Sequence, residues 1–255
     1  MPHAGTRVPH AAGRGLADLA ASRPDTDWHL ERLHDFLAEL DATLVVATHS
    51  RYVVDLNRPP DDASLYPGQA TTGLVPLETF HGEPLYRDGA RPDAREIARR
   101  LETHWRPYHR RLAAELARVR AGHGVAILWD AHAIASRVPR LFEGRLPDFN
   151  LGTANGESCD PGLAARLFAA LERREGFSAV LDGRFKGGYI TRHYGRPAEG
   201  IHAVQMEMSE ALYMDERCPF TFREELARRV RPVLREQLGI ALDWAARNRR
   251  PAATP

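Results

Sequence analysis

A chain of 255 residues, 43% hydrophobic and 27% charged, is long enough to bury one substantial core and sits in the ordinary soluble range. Its formal net charge of +1 excludes the strongly basic surface that nucleic acid or an anionic membrane would select. No apolar run approaches the roughly 20 residues of a membrane span, and two cysteines, Cys159 and Cys218, exclude a disulfide scaffold and lack zinc-site spacing.

Residues 1–15 hold no apolar segment of the signal-peptide kind, so a cytoplasmic location is expected. Lys186 is the sole lysine among 35 basic residues, which reads as coding bias and lowers the functional weight of any one surface arginine. Residues 28–40 repeat Leu30, Leu33, Phe36, Leu37 and Leu40 at helical spacing, with Asp25, Thr26 and Asp27 available as caps. TLVVAT at 43–48 reads as a short buried strand. The stretch 58–89 is rich in Pro, Gly and Asp and lacks a period, and long loops of that kind are often functional.

Residues 93–122 read as a charged helix that Pro107 kinks or splits near Arg106. GVAILW at 124–129 predicts a second buried strand. Asp160 and Pro161 then open a helix that Gly176 terminates. Residues 189–193 and 203–208 suit strands, and 222–246 supplies a closing amphipathic helix. Strands separated by helices predict a single α/β domain over residues 1–250 with a mostly parallel sheet flanked by helices, followed by a disordered tail at 251–255.

In such sheets ligands collect at the carboxyl ends of strands. The polar residues at the predicted strand ends are His49 to Arg58, Asp130 and His132, and Arg192 and His193; Glu207 lies inside an apolar run. His, Asp, Glu, Arg and Asn together suit the binding of a metal and an anion. His132 stands out from the 12 histidines because an apolar run leads into it and Asp130 precedes it by two, where an acid can fix the ring through its second nitrogen. Glu207 reads either as a paired core acid or as a catalytic one, since an ionised Glu is seldom buried without a partner. Arg58 and Arg192 read equally well as structural ion pairs or anion ligands.

Eight segments, in order, carry a resemblance: PHAGTRVP (2–9), DTDWH (25–29), SRYVVDLNRPP (50–60), LYPGQ (65–69), WDAHAI (129–134), FNLGTANGESC (149–159), GGYITRHYG (187–195) and QMEMSEALYMDE (205–216). The chain resembles the N-formylglutamate amidohydrolases. That resemblance implies a fold like that of zinc carboxypeptidases and peptidoglycan amidases. It also implies hydrolysis of N-formyl-L-glutamate to formate and L-glutamate, the last step of a histidine degradation route.

The resemblance further implies a divalent metal, zinc foremost, held by His3, Asp27 and His132, with Asp25 and His29 as alternatives for the middle ligand. Glu207 would be the general base. Asn57 and Arg58 would hold one substrate carboxylate and Arg192 the second, with Arg51 and His193 in lesser roles and Asp55 orienting an arginine. The expected partner is this small substrate alone, with no nucleic acid and no membrane. Two other readings keep the fold: an amidohydrolase of another N-acyl acidic amino acid, or a non-catalytic binding relative.

The chain departs from the family pattern where a hydrophobic strand normally leads into the first motif, since here Pro2 and His3 follow Met1 directly. A missing strand would leave His3 on a fraying end. Ala4 and Ala133 stand where Ser is commoner in the family.

Overall fold

The computed structural model describes residues 1–249, so the expectation for the 251–255 tail lies outside the described residues. Helices α1 (Ala94–Arg100) and α2 (Arg106–His123) are separated by a π-helical turn at Leu101–Trp105. Pro107, in the first turn of α2, cannot donate to the preceding helix, so the interruption falls where its sequence position predicts it.

Next come β1 (Ala126–Ile134), β2 (Phe149–Gly152), α3 (Pro161–Glu172), β3 (Ala179–Leu181), α4 (Tyr189–Tyr194), β4 (Ile201–Ser209) and α5 (Glu224–Arg247). Asp160 caps α3 by accepting from the Gly162 and Leu163 amides, as its place before Pro161 suggested. The sheet order is β1-β4-β2-β3; β1–β4 and β2–β3 are parallel and β2–β4 is antiparallel. The expected single α/β domain with a mostly parallel sheet is what the chain forms.

Alternation along the strands divides two environments. Ala131 and Ala133 of β1, Val204, Met206 and Met208 of β4, and Phe149 and Leu151 of β2 point into the main core. There they meet Leu163 and Leu167 of α3 and Val230, Val233 and Leu234 of α5. The intervening residues Asp130, His132, Gln205, Glu207 and Asn150 are all buried, and register places His132 beside Glu207 and Glu207 beside Asn150. One sheet face is therefore apolar and the other carries a row of buried polar side chains.

Three expectations need correction. Residues 189–193 form the helix α4, not a strand: Gly188 is extended, Tyr189 onward is helical, and Ile190 and Thr191 are buried on one side of a single turn and a half. The 28–40 helix is broken into an α turn at Leu30–Leu33 and a 3-10 turn at Asp35–Leu40. His29 in the left-handed region opens it, and no side chain of Asp25, Thr26 or Asp27 caps it.

TLVVAT is not a regular strand. It runs extended beside residues 1–7, with Met1 O accepting from the Ala47 amide and Thr48 O from the Arg7 amide, and Thr43 and Leu44 stay exposed. Strands β2 and β3 went unforeseen because four and three residues are too short to show a period.

The N-terminus is tied down rather than frayed. The Met1 ammonium donates to Val45 O at 3.0 Å and is buried, and Asp27 N donates to His3 O. Burial pushes that amine below its ordinary pKa, with Asp130 and Asp27 opposing. Below it, between residues 41–45 and the outer edge of β1, lies a largely apolar groove of about 440 Å³ lined by Leu37, Leu112, Ile127, Trp129 and Leu238. No helix among the described residues is long and apolar enough to cross a membrane.

Candidate active site

The polar face of β1 and β4 ends under the turn that carries His3, and the 25–29 segment closes it from the side. His3, Asp27 and His132 are all buried, and one ligand atom from each lies within 4.8 Å of the others. The tautomers follow from their partners. Asp55 Oδ1 sits 2.7 Å from His3 Nε2. Burial pushes the Asp55 carboxyl up, but His3, Arg51 and Arg58 outweigh it and hold it well below the usual range.

An ionised Asp55 only accepts, so His3 Nε2 carries the proton and Nδ1 presents its lone pair. That Nδ1 lies 3.8 Å from Asp27 Oδ2. His132 is placed alike, with Nε2 3.1 Å from Asp130 Oδ1 and Nδ1 3.1 Å from the same Asp27 oxygen, and a bound metal would take the place of the Nδ1 proton that Asp27 otherwise accepts. Two imidazole Nδ1 atoms thus converge on one carboxylate oxygen, each ring held from behind by its own aspartate. This is the outer-shell arrangement that metal-ligating histidines use.

The electrostatics favour a cation. Asp27, Asp55 and Asp130 are buried together, and among the described residues Arg51 is the arginine that pairs with Asp27 and Asp55. Burial works against charge on His132, yet Asp130 and Asp27 overcome it and hold the ring at about 10. Burial and Arg51 push His3 the other way, toward the neutral form a ligand needs. The donor set, two nitrogens and a carboxylate oxygen, suits zinc, cobalt or manganese.

Of the three candidates for the middle position, Asp27 is the one that the structure places with the two histidines. Asp25 accepts from the Phe80 amide at 2.9 Å, and His29 Nε2 donates to Phe220 O at 2.7 Å, so neither faces the pair of histidines.

Glu207 lies beside the cluster, in register with His132. Burial raises its carboxyl to about 8; Asp27 and Asp130 add to the rise while His132 and Arg51 oppose it. Gln205 positions it, donating from Nε2 to Glu207 Oε2 at 3.0 Å while Oε1 accepts from the Gly188 amide at 2.8 Å. Asn57 is fixed too. Its Oδ1 accepts from the Ile190 amide at 2.8 Å and its Nδ2 lies 3.1 Å from His132 Nε2.

These groups open onto a cavity of about 60 Å³, whose lining includes Arg51, Arg58, Tyr66, Thr72, Phe80 and Arg184. Tyr66, Ala70, Thr71, Thr72 and Phe80 come from the aperiodic 58–89 stretch, which carries no helix or strand and forms one wall of the cavity.

Residues 1–214 match the family model of N-formylglutamate amidohydrolase. The chain belongs to that family. An N-formylglutamate deformylase of Pseudomonas aeruginosa is 57% identical over 244 residues, 96% of this chain and 91% of the relative. The Pseudomonas putida enzyme of the same name is 55% identical over 246 residues, 96% and 92%. A solved N-formylglutamate amidohydrolase from Ralstonia eutropha superposes with a TM-score of 0.79 at 25% identity, covering 95% of this chain and 93% of that one. A protein from Agrobacterium tumefaciens shares the fold, with a TM-score of 0.70 at 22% identity, over 95% and 88% of the two chains.

Within this family member the structure gathers His3, Asp27, His132, Glu207, Asn57, Arg58 and Arg51 around one cavity. Arg51 pairs with Asp55 at 2.7 Å and stacks on Phe80, while its buried Nε has no hydrogen-bond partner among the described residues. Asp55 holds that arginine, as expected, and also orients His3. Arg192 and His193 are not brought to the cavity. Arg192 donates from Nε to Gly187 O and lies over the Tyr66 ring, and His193 stacks on Tyr189 at the surface.

Sequence reasoning missed Arg184, Tyr66 and Gln205. The signal for Gln205 was present as Gln-x-Glu, the same two-residue step as Asp-x-His on the neighbouring strand.

Proposed function

We propose that the protein is a metal-dependent deformylase that hydrolyses N-formyl-L-glutamate to formate and L-glutamate. The observation that carries the metal dependence is the convergence of His3 Nδ1, His132 Nδ1 and Asp27 within 4.8 Å, each histidine backed by its own aspartate. The names of the Pseudomonas relatives support the substrate. A divalent metal held by these three residues would supply Lewis acidity, polarising the formyl carbonyl and making water a competent nucleophile at neutral pH.

The chain's own groups do the rest. Glu207, adjacent to the cluster and presented by Gln205, accepts the proton of the attacking water and delivers it to the departing amine. A carboxyl held near 8 is protonated at neutral pH, so it serves as base only when positive charge at the cluster draws it down, which a divalent metal there would supply. Arg58 offers a guanidinium to a substrate carboxylate, an acceptor its planar fork fits. The cavity of about 60 Å³ suits a small molecule over a polymer.

The test is formate release from N-formyl-L-glutamate by protein as purified, after chelation, and after zinc is restored. Loss and recovery are expected, with Glu207→Gln reducing kcat by roughly 100-fold or more while zinc still binds. Full activity after exhaustive chelation would refute the metal dependence. No formate under any condition would refute the activity.

A further inference from the structure

The cavity holds a cation that no motif pointed to. Arg58 and Arg184 both line it, both half-buried, and among the described residues neither lies within 4.0 Å of a carboxylate. Arg51, the third arginine of the lining, is by contrast consumed by Asp55 and Asp27. Arg58 donates from Nε to Thr72 O at 2.7 Å, from Nη2 to Thr72 Oγ1 and from Nη1 to Asn57 O. Arg184 donates from Nε to Leu141 O at 2.7 Å and from Nη2 to Ala70 O at 2.8 Å.

Both heads are therefore fixed by main-chain carbonyls, two of them on the same strap of residues 70–72. A guanidinium has five N–H groups, so each keeps donors free, including all of Nη1 on Arg184. Burial lowers the pKa of Arg184 and Arg58 adds to that, with Tyr66 and Glu207 opposing, so the two guanidinium groups lie within each other's field without a carboxylate in contact. An anion between them relieves both.

We propose that Arg58 and Arg184 form a two-point clamp for a dicarboxylate, with Arg184 holding the side-chain carboxylate and so setting specificity for an acidic residue. This deepens the deformylase reading and rests on it for the identity of the diacid. Arg58 adjoins Asn57, which touches His132, so it takes the carboxylate nearer the reacting formamide. Arg192 does not line the cavity: it donates from Nε to Gly187 O and lies over the Tyr66 ring.

Two measurements test the clamp. The first compares kcat/KM for N-formyl-L-glutamate and N-formyl-L-glutamine, which differ only in the side-chain charge. The second compares calorimetric binding of L-glutamate and L-glutamine, which needs no turnover. Both are run on the wild type, Arg184→Gln, Arg184→Lys and Arg192→Gln.

Loss of a charge-assisted pair is expected to reduce the preference for the acid by roughly 10- to 100-fold in Arg184→Gln. Arg184→Lys, which keeps the charge without the fork, should fall between, and Arg192→Gln should retain the wild-type preference. A wild-type preference in folded Arg184→Gln and Arg184→Lys, or its loss in Arg192→Gln alone, overturns the clamp while leaving deformylation intact. Absence of formate release from the wild type refutes the deformylase reading, and glutamate against glutamine binding still decides the clamp.

Discussion

Gly188→Ala tests how tightly the candidate site is built. Gly188 has φ −84°, a backbone any residue adopts, so the substitution meets no dihedral strain and acts through contact alone. A Cβ there would lie 2.5 Å from both Cγ and Oδ1 of Asn57, closer than real Cβ atoms approach anything. Asn57 has nowhere cheap to go. Its Oδ1 accepts from the buried Ile190 amide, its Nδ2 abuts His132, and Gly188's own amide is engaged by Gln205, which steadies Glu207.

Displacing Asn57 leaves the Ile190 donor unsatisfied, about 1–3 kcal/mol, and the overpacking adds about 1–3 kcal/mol, for a loss of roughly 2–6 kcal/mol. With His132 as a zinc ligand, as proposed above, moving the Asn57 side chain packed 3.1 Å from its Nε2 is expected to weaken zinc binding by about 10- to 100-fold. Urea denaturation and zinc titration read the two effects. Gly122→Ala is the control: it lies in α2 with nothing near its Cβ and should be neutral or gain about 1 kcal/mol. A cycle with Asn57→Ala sharpens the test, because the double variant should be no worse than Asn57→Ala alone. Wild-type stability and zinc affinity in Gly188→Ala would refute the packing argument.

Two further outcomes are expected. His34 is buried with Nδ1 donating to Leu30 O, and burial pushes its pKa from 6.5 to about 4. The unfolded chain therefore takes up that proton first as pH falls below 6.5, so the folded state is penalised between pH 6.5 and 4, by roughly 2 kcal/mol at pH 5. The stability difference between wild type and His34→Gln should shift by about that amount, in favour of the variant, between pH 7.5 and pH 5. A difference independent of pH in urea titrations would refute it.

The second concerns the groove of about 440 Å³ beside β1. Extending the chain ahead of Met1 with an apolar, β-branched segment would replace a buried ammonium by an amide and supply side chains to the groove. Thermal denaturation should show a higher Tm than for a Gly/Ser extension of equal length, and equal values would refute the fit.

What the sequence made legible follows from where its signals are local. Asp130 and His132 were readable because a two-residue step on a strand keeps both on one face, and the same step links Gln205 to Glu207 on the neighbouring strand. Pro107 and the Asp160 cap act within a few residues, and both fell where expected. TLVVAT failed as a strand because apolar, β-branched composition says nothing about who the neighbour is. Its partner is the irregular 1–7 segment, and Thr43, Leu44 and Val45 border the groove.

Residues 189–193, expected as a strand, are helical because tertiary context overrides local β propensity. Here the Gly188 amide is drawn to Gln205 and Asn57 Oδ1 seizes the Ile190 amide, which starts a helix in place of a ladder.

Arg184 was the least legible of all. Nothing in Gly183-Arg184-Phe185 separates it from the other arginines of an arginine-rich chain. Its distinction is that, once Leu141 and Ala70 have fixed it, no carboxylate among the described residues comes within 4.0 Å of it, Glu207 acting only from farther off. A charge left over by folding is a property of the assembled cavity, and the sequence cannot display it before the chain is closed.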